Sequence, residues 1–126
     1  MSANAALFVF GAVQHLGLTM GPFHEPHIIP AAMVESLCAL ALIAGVIAIK
    51  RRSRRWGVAV TANVVAICGV VLGIIALAAG RGPRTASNDL YHRIMLTLAG
   101  ASLVILFAAR SALKRSQDAR VKALFC

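Results

Sequence analysis

The sequence predicts an all-α, polytopic integral membrane protein, a bundle of four transmembrane helices, and three features carry that prediction. Hydrophobic residues make up 60% of the 126 positions and the mean hydropathy is +0.82, well beyond a soluble domain of this size. The apolar residues fall into four runs. Basic residues gather where those runs stop. Four crossings of about 20 residues use roughly 80 positions, so 1–126 forms a single domain with short connections and no room for a soluble catalytic unit.

The first run, 3–20, is interrupted by Gln14 and His15 near its end. No positive segment precedes it and the polar pair breaks the apolar stretch, so it reads as a retained helix rather than a cleaved signal. The second, 28–49, opens with Pro30 in its first turn, where the missing N–H is harmless, and stops at KRRSRR, which begins at Lys50. The third, 56–80, holds no charged residue and is long enough to cross with some tilt. The fourth, 90–109, follows GRGPRTAS, where Ser87 or Asn88 can cap the first N–H groups. After it comes a basic tail, 110–126, which continues helix 4, lies along an anionic leaflet or is simply solvated.

Charge then predicts orientation. Lys50, Arg51, Arg52, Arg54 and Arg55 follow helix 2, and Arg110, Lys114, Arg115, Arg120 and Lys122 follow helix 4, against Arg81, Arg84 and Arg93 at the opposite end. The positive-inside rule places both termini and the middle loop in the cytoplasm of a bacterial cytoplasmic (inner) membrane. The formal charge of +9 therefore reads as topology. Nucleic acid is not an expected partner, because the cations are not interleaved with aromatics on one surface. The expected partners are the lipid bilayer and either a second copy or a larger membrane complex.

Small residues suit a close bundle: Gly69 and Gly73 form GxxxG in helix 3, and Ala41 and Gly45 a similar pair in helix 2. Cys38, Cys68 and Cys126 lack CxxC spacing and read as inert thiols. Asn63 and Thr61 are expected to hydrogen-bond between helices. Trp56 and Tyr91 read as membrane-interface anchors.

This topology gathers the titratable groups at one end. All four histidines (His15, His24, His27, His92) and the acids Glu25, Glu35 and Asp89 fall in the outer half; only Asp118 lies in the tail. An ionisable residue within a span is disfavoured by roughly 2.5–3.5 kcal/mol at the helix centre and is normally turned inward and partnered, so Glu35 and His15 require an explanation. One is a metal site: His15, Glu35, Asp89 and His92 supply two imidazoles and two carboxylates, a set suited to a transition metal. Asp89 and His92 lie one turn apart, a spacing similar to the Glu-x-x-His element of di-metal bundles, with a shorter acid and one copy. His24 and His27 are further candidate ligands, although H-E-P-H lacks the four-residue histidine spacing of H-E-x-x-H.

A second explanation makes Glu35 a proton-carrying, substrate-binding carboxylate beside His15. The third is structural, with Glu35 paired to Arg93 or His92 and His15 bonded to a backbone carbonyl. This structural network asks least of the sequence.

The stretches GPRTASNDLYHRIML and EPHIIPAAMVESLCALAL resemble those of small four-helix bacterial inner-membrane proteins, a group generally left without an assigned function. By hydropathy the likeness extends over most of the chain. It implies the fold and no activity. In size and span count the chain is also similar to small multidrug transporters, but their essential glutamate lies in the first helix, whereas Glu35 lies in the second. The functional expectation is a non-enzymatic accessory or ligand-binding subunit. The alternative is a metal- or haem-dependent membrane oxidoreductase, or a proton-coupled small-molecule exporter using Glu35 with His15 and His92.

Overall fold

The computed structural model describes residues 1–18, 27–51, 55–82 and 84–125. The candidate ligand His24, together with Glu25, Arg52, Arg54 and Cys126, lies outside the described residues. Four helices follow one another: α1 (Ser2–His15), α2 (Ile29–Arg51), α3 (Trp56–Ala78) and α4 (Ala86–Phe125). Each packs on its successor and α1 also meets α4, so the helices close into an up-and-down ring around one core.

The helix ends follow from local chemistry. α1 stops at His15, five residues before its apolar run does, because Gly17 adopts a left-handed backbone (φ 86°). The Leu18 N–H then donates to the Val13 carbonyl (3.3 Å) and the Gly17 N–H to that of Gln14 (2.8 Å), the paired bonds of a Schellman cap. α3 ends the same way. Gly80 (φ 73°) lets Arg81 N–H reach the Ala76 carbonyl (2.9 Å) and Gly80 N–H that of Leu77 (3.0 Å).

The start of α4 also differs from expectation. Thr85, rather than Ser87 or Asn88, caps it: its hydroxyl accepts the Asn88 N–H at 3.1 Å. Asn88 is buried inside the first turn. α4 then runs unbroken through the basic segment, so its 40 residues extend about 60 Å at 1.5 Å per residue. From Arg110 to Leu124 it is exposed on every side.

One end of the ring collects His15, Arg81 and His92, and the other Met1, Lys50, Trp56 and the α4 extension; these are the histidine end and the basic end. Phe8, Leu42 and Met95 fill the core between alanines of α1, α2 and α3. Small residues act as sockets here. A Cβ on Gly45 would meet the Met1 side chain (2.6 Å) and Ala62 (3.0 Å), so α2 and α3 approach closely at this level. The two glycines of the GxxxG do different work: Gly69 receives Cys38 Sγ from α2, and Gly73 receives the His92 ring from α4.

Polarity is inverted relative to a soluble bundle. Asn4, Gln14, His15, Glu35 and Asn63 are buried, while Met33, Leu37, Leu40, Leu72, Ile75, Val104 and Ile105 face outward. Exposed apolar surface on this scale is of the kind that a membrane or a partner covers. Among the described residues three helices are long and apolar enough to cross a membrane: α2, α3 and α4, whose 18-residue apolar stretches have mean hydropathies of 2.3, 2.5 and 1.8. At 14 residues, α1 is about 21 Å long, shorter than the sequence run predicts.

Candidate functional site

Glu35 lies in the second turn of α2 and points into the ring, where it is 8% exposed. Two other helices meet it there. The Tyr91 hydroxyl of α4 donates to the Leu7 carbonyl of α1 (3.0 Å) and stands 3.2 Å from Glu35 Oε1. From α1, His15 Nε2 lies 3.9 Å from Glu35 Oε2, within ion-pair reach but too far for a hydrogen bond. Glu35, His15 and Tyr91 thus draw α1, α2 and α4 together at one point.

Gly11 makes that meeting possible. A helical carbonyl is ordinarily flanked by the side chain four residues on, and for Leu7 that residue is Gly11. A Cβ at Gly11 would occupy the space taken by both the Tyr91 hydroxyl and Glu35 Oε1. The bare backbone is therefore a socket for a carboxylate and a phenol.

His92 sits one helical step from Tyr91, its ring edge-on to the phenol (centroids 5.6 Å, interplanar angle 84°). Its Nδ1 lies 2.9 Å from the Asn88 carbonyl oxygen. A carbonyl only accepts, so Nδ1 carries the proton, and in the neutral ring Nε2 is an acceptor. That nitrogen packs against Gly73, in the space a side chain there would fill.

These groups line a cavity of about 440 Å³ at the histidine end. Phe8, Val34, Val70, Leu72 and Leu77 supply apolar wall; Glu35, His15, Tyr91 and His92 supply polar atoms, with Asn88 and Arg81 also lining it. Such a volume and such a ratio of apolar wall to convergent polar groups are those of small-molecule pockets.

The sequence-predicted site residues are only partly brought together. His15 and Glu35 meet directly, and His92 lines the same cavity. Asp89 is exposed and lines a separate recess with Arg84 and Arg93. His27 is exposed on the α1–α2 junction. Among the described residues no three His, Cys, Asp or Glu side chains are grouped for a metal. Of the expected structural partners of Glu35, Arg93 is exposed and His92 is turned to Asn88 and Gly73.

Sequence reasoning missed Tyr91, read as an interface anchor, and Gly11. A signal for Tyr91 existed, since Asn88, Tyr91, Met95, Ala99 and Leu106 fall on one helical face and all are buried or half-buried. Asn63 bonds within its own helix, Nδ2 to the Ala59 carbonyl at 2.9 Å, rather than to another helix as expected, and Thr61 is exposed. Cys38, a buried free thiol, lies 3.7 Å from the Val65 carbonyl.

The chain matches no protein-family model, no curated protein and no solved structure. What the site can do therefore follows from its own chemistry. A carboxylate, a phenol and two imidazoles in an apolar cavity can hold the polar end of a small molecule or pass a proton among themselves.

Proposed function

We propose that this chain is a small integral membrane protein of four spans whose histidine-end cavity binds a small amphiphilic molecule, as a non-enzymatic ligand-binding or accessory subunit. The observation that carries the reading is the cavity of about 440 Å³, with apolar walls and Glu35, His15, Tyr91 and His92 converging on it. α1 serves as the fourth span although short, since a bilayer thins locally around a short helix at a modest free-energy cost. The basic end faces the cytoplasm of a bacterial cell, by the charge asymmetry, and the cavity opens toward the outer leaflet. So short a chain buries little apart from its own helix contacts, which favours service with a second copy or within a larger membrane complex.

The test is to fill the cavity. Ala76→Trp places an indole in its wall. Mass spectrometry of small molecules co-extracted with the detergent-purified protein should find a species with the parent chain that is lost from the variant. A parent chain that carries no molecule, and takes up none from a library of amphiphiles, would refute the reading.

A second reading is favoured by one observation: the Tyr91 hydroxyl reaches both the cavity carboxylate and the Leu7 carbonyl of a neighbouring helix. A ligand that displaces that hydroxyl would exchange with a proton on Glu35, as a proton-coupled exporter requires. Glu35→Gln should then abolish ligand-driven proton movement in liposomes while ligand binding persists. Equal flux in the variant would remove this reading.

A further inference from the structure

We infer that the amphiphile bound at this site is an anionic phospholipid, with an acyl chain in the cavity between α2 and α3 and its phosphate at Arg81. The inference rests on the binding reading above and adds the ligand's chemical class. It follows from where the cavity meets the outer surface and from the charge at its rim.

The seam between α2 and α3 is tight toward the basic end and hollow at the histidine end. A side chain at Gly45 would meet Ala62 at 3.0 Å and the Ala59 backbone at 3.3 Å, and further along the seam Cys38 fills the socket at Gly69. Beyond that pair, Pro30, Ala31 and Val34 of α2 and Leu72 and Ala76 of α3 line the cavity. Leu72 is 57% exposed and Pro30 is exposed too, so both belong at once to the cavity wall and to the outer surface of the bundle. In the proposed membrane setting that surface faces lipid, and an apolar recess reached from it suits an acyl chain.

The rim is cationic. Arg81, whose N–H closes the turn at Gly80, lines the cavity and is exposed. Arg84 and Arg93 line the adjoining recess, which shares Leu77 and His92 with the cavity, and Asp89 is the acid beside them. Guanidinium groups in excess over carboxylate favour an anion, and guanidinium pairs with phosphate through two parallel hydrogen bonds. Glu35 is set apart from this rim. It lies six residues after Ile29, about 9 Å along α2 at 1.5 Å per residue, where the Tyr91 hydroxyl and His15 meet it.

The experiment adds lipids to the full chain in detergent and follows their retention by native mass spectrometry. The probes are phosphatidylglycerol, phosphatidylcholine and diacylglycerol with identical acyl chains, and glycerol phosphate, which carries the anion alone. Phosphatidylglycerol should be retained severalfold more than each of the others. Arg81→Gln should reduce it to the level of phosphatidylcholine, Arg110→Gln at the basic end should leave the preference unchanged, and Ala76→Trp should lower retention of all three lipids. Equal retention of phosphatidylglycerol and phosphatidylcholine would overturn the class, and loss of both in Ala76→Trp would still leave a binding cavity in place. A preference that survives Arg81→Gln and falls with Arg110→Gln would overturn it in favour of the basic end. Glycerol phosphate retained as well as phosphatidylglycerol would overturn it in favour of a free-anion site. If no lipid is retained the class falls, and the binding reading is then decided by the amphiphile library alone. Arg81 is exposed, so its substitution tests the class without disturbing the packed core.

Discussion

Gly11 shows how one absent side chain can organise three helices. Its hydrogen leaves the Leu7 carbonyl open to Tyr91 and leaves room for Glu35 Oε1. Gly11→Ala should therefore destabilise the bundle by about 1–3 kcal/mol, the usual range for overpacking, although alanine is the better helix former. Thermal unfolding in detergent checks the sign, and a stabilised variant would mean the socket is not occupied as described. Tyr91→Phe removes the hydroxyl and should lower stability by about 0.5–1.5 kcal/mol. Because both changes act on one contact, the double variant should lose less than the sum of the two.

Helix ends are set by residues the apolar pattern does not register. Thr85 accepts the Asn88 N–H, whereas the Ser87 hydroxyl shares a contact with Thr85 at 3.0 Å. Thr85→Ala should accordingly lower stability by about 1 kcal/mol, and Ser87→Ala should be close to neutral. The same stability at Thr85→Ala as in the parent would place the cap elsewhere. α4 itself has two regimes, a packed part up to Leu106 and an extension exposed on all sides from Arg110. Proline in an exposed helix interior is unfavourable by about 3 kcal/mol, and the extension is exposed throughout. Ala112→Pro should thus lower helical ellipticity without moving the unfolding temperature of the bundle. A drop in that temperature would show that the extension packs on something.

Polar groups inside and large apolar side chains outside make an architecture suited to lipid, and the proposed orientation rests on the charge asymmetry. The orientation is open to a direct check. In a chain lacking native cysteines, Thr85→Cys should react with a membrane-impermeant maleimide on intact cells, and Ser116→Cys only after the membrane is breached. The reverse pattern would invert the bundle and place the cavity at the cytoplasmic face. Whichever way it faces, α1 is the short member of the ring, tied to α4 through Tyr91 and through the Met1 amino group, which donates to Ser102 Oγ at 3.1 Å.

The existence of four helices, the span-like length of α2 and α3 and the crowding of titratable groups at one end were all legible along the chain. They depend on apolar length, on Pro30 and on the basic clusters after Ile49 and Leu106, each of which acts locally. The stop at Gly17 was equally local, but a glycine inside an apolar run looks like part of it. Which faces turn inward was not legible. Lipid and core are equally apolar, so a helix such as α3 has no polar side to mark its exterior, and only packing reveals that Gly73 receives His92 and Gly11 receives Tyr91 and Glu35. The pairing of Glu35 with Tyr91 rather than Arg93 likewise required three helices at once. Periodicity along one helix says nothing about the rotation of the next.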